Sequence, residues 1–124
     1  MTVFVKKTAF TVEVGVANMI AGANEDYNDF PVNDTMKKEF AEGWVIKTGY
    51  KYVKIMNGGN GGQVTVWGFV VNNDNDKKFK KGDILKPAGW ATPARNGARG
   101  NVLDGDYPVN WTGPLYLVPS MKRR

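Results

Sequence analysis

Between Lys77 and Arg99 the chain reads KKFKKGDILKPAGWATPARNGAR, with Lys77, Lys78, Lys80, Lys81, Lys86, Arg95 and Arg99 set against a single acid, Asp83. Phe79 and Trp90 are interleaved with these cations. Cations attract a polyanion without regard to its sequence, and flat rings offer a face on which a base can stack. The pattern predicts lysines along a phosphate path, with Trp90, Trp67, Phe69 or Tyr52 as stacking faces. Arg95 and Arg99 would hold phosphates bidentately. A plainer arrangement competes with this one. Trp67 and Phe69 also suit a core, the four lysines of 77–81 suit a solvated turn, and Trp90 either anchors its loop or is displayed.

Bond-making chemistry has few candidates. The chain has no histidine and no cysteine, and Ser120 is its only serine. Triads, Cys-His pairs and thiolate or imidazole zinc sites are therefore excluded. Asp104 and Asp106 are two apart, with Asp83 a possible third carboxylate, so a hard cation or an acid–base pair can be imagined. Asp-Gly-Asp is also ordinary turn chemistry, and that reading is preferred. Asn72 to Asp76 lacks the spaced ligands of a calcium loop. The glycine run 58–62 lacks the Lys and following helix of a phosphate loop, which leaves a hairpin. The expectation is a protein that is not an enzyme, with no metal and no cofactor.

These residues must be carried by one domain, since 124 residues leave little room for a second. A hydrophobic fraction of 42% and an aromatic fraction of 12% belong to a folded globule. The formal charge of +5 favours acidic partners, and its clustering at 77–99 points to a polyanion. No apolar stretch approaches the ~20 residues that cross a bilayer. With no secretion-signal pattern at the start, an intracellular setting and no membrane partner are expected.

The opening, Val3 to Val16, is rich in β-branched residues and predicts two short strands or one interrupted strand. Residues 21–34, dense in Gly, Asn and Asp, predict a loop. Asp34 or Thr35 can cap a short helix through Glu42, ended by Gly43, with Met36 and Phe40 on its buried face. Trp44 to Met56 predicts a strand pair bent near Thr48-Gly49, with Tyr50, Tyr52 and Lys54 on one side and Val53 and Ile55 on the other. Gln63 to Val71 is the clearest strand, with Val64, Val66 and Val70 on one face and Thr65, Trp67 and Phe69 on the other. A strand ending at Lys86, short strands at Val102-Leu103 and near Trp111, and a last strand from Leu115 to Val118 follow. Residues 119–124 form a basic tail.

Strands, turns and one short helix predict a mostly β fold. A small antiparallel barrel or sandwich, OB-like or SH3-like, with a long ordered loop is the expected architecture. The segment Gly82-Asp83-Ile84-Leu85-Lys86, Trp90, Pro93-Ala94 and Ala98-Arg99-Gly100-Asn101-Val102 resembles one in small proteins of tailed bacteriophages, of unassigned function. The likeness covers roughly residues 64–104 and implies a phage origin, a β-rich fold and an interest in Trp90, Arg95 and Arg99. The resulting expectation is a small phage-type nucleic-acid-binding protein, taking single-stranded DNA or RNA with low sequence specificity. It would act in the cytoplasm of an infected host cell. The alternative is a virion structural protein or one that binds a host protein, in which case homo-oligomers are plausible.

Overall fold

The computed structural model describes residues 2–58 and 63–115. Strand β1 (Val3–Val5) is followed by helices α1 (Val12–Asn28) and α2 (Asp34–Glu42). Then come β2 (Trp44–Thr48), β3 (Tyr52–Asn57), β4 (Thr65–Val71), β5 (Ile84–Leu85), β6 (Tyr107–Asn110) and β7 (Gly113–Pro114). The strands form two antiparallel sheets, one ordered β1-β6-β7 and the other β2-β3-β4-β5. The fold is mostly β, as expected, but among the described residues the sheets do not close into a barrel and there are two helices rather than one.

Helix α1 corrects the largest misreading, because it occupies residues expected to be strand and loop. Thr11 caps it, its hydroxyl accepting from the Val14 N–H at 3.2 Å, and Glu13 sits in the positive first turn. Its buried residues, Val12, Gly15, Val16, Met19, Gly22, Ala23, Asp26 and Tyr27, recur every three or four positions and face both sheets. The two glycines are contact points. A Cβ on Gly15 would lie 2.7 Å from the Val102 carbonyl oxygen, and one on Gly22 would lie 2.6 Å from a Val5 methyl. Side chains there would push the helix off Val102 at one point and off β1 at the other.

Helix α2 ends at Glu42 as expected but starts earlier, at Asp34, because Asn33 caps it, its side chain accepting from the Met36 N–H at 2.8 Å. Phe40 is buried while Met36 stays exposed, so the expected apolar pair is split. The hairpin β2–β3 forms as predicted, turned at Gly49. In β4 the register breaks: Ile55 faces Gly68 and Met56 faces Val66, leaving Trp67 as an extra, bulged residue. Strict alternation is lost there. Trp67 and Val70 therefore join one core cluster, and Phe69 and Val71 the other.

The first cluster packs Val12, Val16, Met19 and Ala23 of α1 against Val5, Val109, Val53, Ile55 and Ile84 of the two sheets. The second, Phe69, Val71, Phe79, Leu85 and Ala98, lies beneath the chain between β4 and β6. Val102-Leu103 is not a strand; Asn101 instead makes an isolated bridge with Asp83. Most of the glycine run, the strand expected at Leu115 to Val118 beyond its first residue, and the basic tail lie outside the described residues.

Candidate functional site

The long segment after β4 has little regular structure of its own, so side chains must hold it. Asp76 is its organiser. Its Oδ1 accepts from the backbone N–H groups of Lys78 and Phe79 at 2.8 and 2.9 Å, which tightens the turn. The Arg95 guanidinium then reaches back in a two-pronged pair, Nη1 to Oδ2 at 3.0 Å and Nη2 to Oδ1 at 2.9 Å. Arg95 also donates to the Tyr52 hydroxyl at 2.6 Å and lies 4.8 Å from the centroid of the buried Phe79 ring. The hydrogen-bonded guanidinium, helped by the two backbone N–H groups, holds the Asp76 carboxyl well below the usual carboxylate range, against the opposing effect of burial. The same bond raises the Arg95 pKa. The Lys78 ammonium donates to the Arg95 carbonyl.

Trp90 stands at the tip of an excursion closed at its base by the Pro87–Pro93 bridge and by the Ala94 N–H on the Lys86 carbonyl at 2.7 Å. It is displayed, with 58% of its surface exposed. The Lys54 ammonium sits 3.9 Å from the centroid of its ring. Lys54 comes from β3, directly opposite Lys47 on β2 and opposite Phe69 on β4. The site thus takes shape on one face of the four-stranded sheet: Trp90, Lys54 and Lys47, with Tyr52, Arg95 and Lys78 adjoining. Lys54 and Lys47 were not among the expected site residues. The alternation that put Tyr52 and Lys54 on the same side was the available signal.

The cationic run is otherwise divided. Lys77 is exposed. Lys80 turns to Asp104, 3.0 Å away, in a pair whose side chains are both well exposed and which adds little stability. Lys81 borders a shallow groove with Phe10, Glu13 and Leu103. Lys86 is half-buried and donates to the Pro114 carbonyl at 2.7 Å; burial, then the charge of Arg99, lowers its pKa. Arg99 is 3% exposed, and its guanidinium donates to the carbonyls of Gly97 and Leu115 and to the Asn96 side chain at 2.9 to 3.1 Å. Lys86 and Arg99 hold the interior together in place of the exposed phosphate contacts expected of them. Trp67 and Phe69 are likewise core residues, 3% and 2% exposed, and offer no stacking face.

The carboxylates are engaged locally. Asn101 donates to Asp83 Oδ1 at 2.9 Å and to the Lys81 carbonyl at 3.0 Å, while its Oδ1 accepts from the N–H groups of Leu103 and Asp104. Asp83 Oδ2 accepts from the Lys80 N–H at 3.0 Å. Asp106 follows Gly105 through a left-handed turn, with φ of 64° and 74° respectively. Among the described residues no three acidic side chains gather to hold a metal ion, and no helix is long and apolar enough to cross a membrane.

Neither a curated protein nor a solved structure matches the chain. Residues 5–117 do match the model of a family of unknown function, DUF7717, a span that takes in both helices and strands β2 to β7, and the chain belongs to that family.

Proposed function

We propose that the protein is a small, non-enzymatic nucleic-acid-binding protein that takes single-stranded DNA or RNA with low sequence specificity. The observation that carries this reading is the displayed indole of Trp90 with the Lys54 ammonium 3.9 Å from its ring centre and Lys47 opposite Lys54 on the neighbouring strand. An exposed aromatic face accepts any base, and flanking lysines follow the backbone charge. Single strands are favoured because a duplex keeps its base faces stacked. The sheet face would serve as the platform, in the manner of an OB-like or SH3-like domain. A phage origin, supported by the likeness of the Gly82–Val102 segment, would place this activity in the cytoplasm of an infected cell.

The test is a fluorescence-anisotropy titration with single-stranded DNA, single-stranded RNA and duplex at low and moderate salt. Binding to single strands that weakens with salt, by a slope of about −0.7 per neutralised phosphate, is expected. No binding to any of the three overturns the reading.

A second reading, a virion component or a protein that binds a host protein, is favoured by a different observation. Strand β2 lies at a sheet edge, with Val45 and Ile46 49% and 48% exposed, and Phe10 is fully exposed ahead of α1. Open edges and apolar side chains suit protein partners, including further copies of the chain. Sedimentation showing a defined large assembly, together with no single-strand binding, would favour it.

A further inference from the structure

Lys54 and Lys47 face each other across β3 and β2, a like-charge pairing that an antiparallel ladder disfavours. Among the described residues neither has an ion-pair partner. What Lys54 does have is the ring of Trp90, 3.9 Å from its ammonium. That indole is 58% exposed even with the ammonium over its ring, so it is displayed rather than packed into the core.

We propose that Lys54 is a displaceable cap on a nucleobase-stacking site. A base takes the face of Trp90 that the ammonium covers, and the released ammonium, with Lys47 beside it, takes the neighbouring phosphate. The inference rests on the single-strand reading and assigns its parts. An exposed cation–π contact is weaker than base stacking on an indole, so the base wins the face. The ammonium exchanges a ring for a fully charged oxygen, a stronger partner. Its four-carbon stem allows the swing, while the Lys54 backbone stays fixed between β2 and β4. A phosphate arriving between Lys47 and Lys54 also offsets the like-charge pairing of these two positions.

A cap that competes with the base and then assists the phosphate has opposite effects on two ligands. Lys54→Met keeps the stem and removes the charge. Fluorescence quenching reports occupancy of Trp90, with Trp90→Phe supplying the background from the other three of the four tryptophans. Adenosine, which has no phosphate, is expected to bind Lys54→Met about two- to five-fold more tightly than the unaltered protein. A short oligothymidylate is expected to lose about 0.7 from its salt slope in the same variant.

If the unaltered protein binds the oligonucleotide but Lys54→Met leaves both readouts unchanged, or weakens adenosine, the cap is overturned and the single-strand reading stands. If the unaltered protein binds no oligonucleotide, both fall. A thermal melt confirms folding of the variant, and Lys54→Gln, polar but uncharged, replaces it if Met perturbs the sheet.

Discussion

Arg95 and Asp76, nineteen positions apart, meet through two parallel hydrogen bonds of 3.0 and 2.9 Å, with the guanidinium over the Phe79 ring. A planar fork on a carboxylate fixes orientation as well as distance, which a lysine in the same place would not do. The pair brings the base of the Trp90 excursion beside Tyr52, and so beside the sheet face that carries Lys54.

This pair should make stability depend on acid. The folded-state pKa of Asp76 is depressed, so its contribution is complete above the unfolded value of about 3.8 and is lost as pH falls through the folded value. The thermal midpoint of the unaltered protein is expected to drop more steeply below about pH 4 than that of Asp76→Asn. At neutral pH the variant should be less stable by about 1–2 kcal/mol, held to that range because the Arg95 side chain is 41% exposed. Circular-dichroism melts from neutral to acid pH check both; parallel curves would remove Asp76 from the account.

The displayed Trp90 and the buried Arg99 should respond to substitution in opposite ways. Trp90→Ala is expected to leave chemical stability within about 0.5 kcal/mol while weakening single-strand affinity roughly ten-fold. Arg99→Met should do the reverse, costing about 2–4 kcal/mol because buried carbonyls lose their donors, with affinity per folded molecule unchanged. Urea unfolding paired with anisotropy separates the two, and a binding defect in stable Arg99→Met would return that residue to the interface.

Gly15→Ala should destabilise despite the better helix propensity of alanine, which alone would add about 1 kcal/mol. The new methyl meets the Val102 carbonyl oxygen and Cβ, both at 2.7 Å, and backbone cannot swing aside as a side chain can. A net loss of about 1–2 kcal/mol is expected from overpacking. Gly89→Ala, with nothing within 4 Å of the added carbon, is the matched control and should stay within about 0.5 kcal/mol. Equal urea midpoints for the two variants would contradict the close approach of α1 to Val102.

Asn101→Ala removes four hydrogen bonds at once, to Asp83, the Lys81 carbonyl, and the Leu103 and Asp104 N–H groups. A loss of about 2–3 kcal/mol is expected, since Asp83 is 4% exposed and loses a donor. Amide hydrogen exchange should rise first at Lys80 to Leu103, where this side chain ties two turns together. Protection unchanged in that stretch would show that the backbone bridge holds it without the side chain.

Local signals carried over into structure where the determinant was itself local. The hairpin at Thr48-Gly49, the helix over residues 34–42 and the strand at 65–71 rest on turn residues, caps and alternation within a few positions. The absence of histidine and cysteine narrowed the chemistry by composition alone. Helix α1 was hidden because Val12, Val14, Val16, Gly15 and Gly22 all lower helix propensity. The spacing of its buried residues was present, but the β-branched run through Val16 pointed to strand and Gly22 to loop, whereas Gly15 and Gly22 are contacts with Val102 and Val5.

A β-rich domain, a positively charged second half and the lack of thiol or imidazole chemistry all follow from residue type and short-range pattern. Which cations face outward depends on how the chain folds. Seven of them are neighbours along the chain, yet Arg95 turns to Asp76, Lys80 to Asp104, and Lys86 and Arg99 to interior carbonyls. Folding also brings Lys54, thirty-six positions earlier, onto Trp90. A charge is a property of one residue, but its partner is a property of the fold, since ion pairing and burial depend on groups that only folding brings within reach.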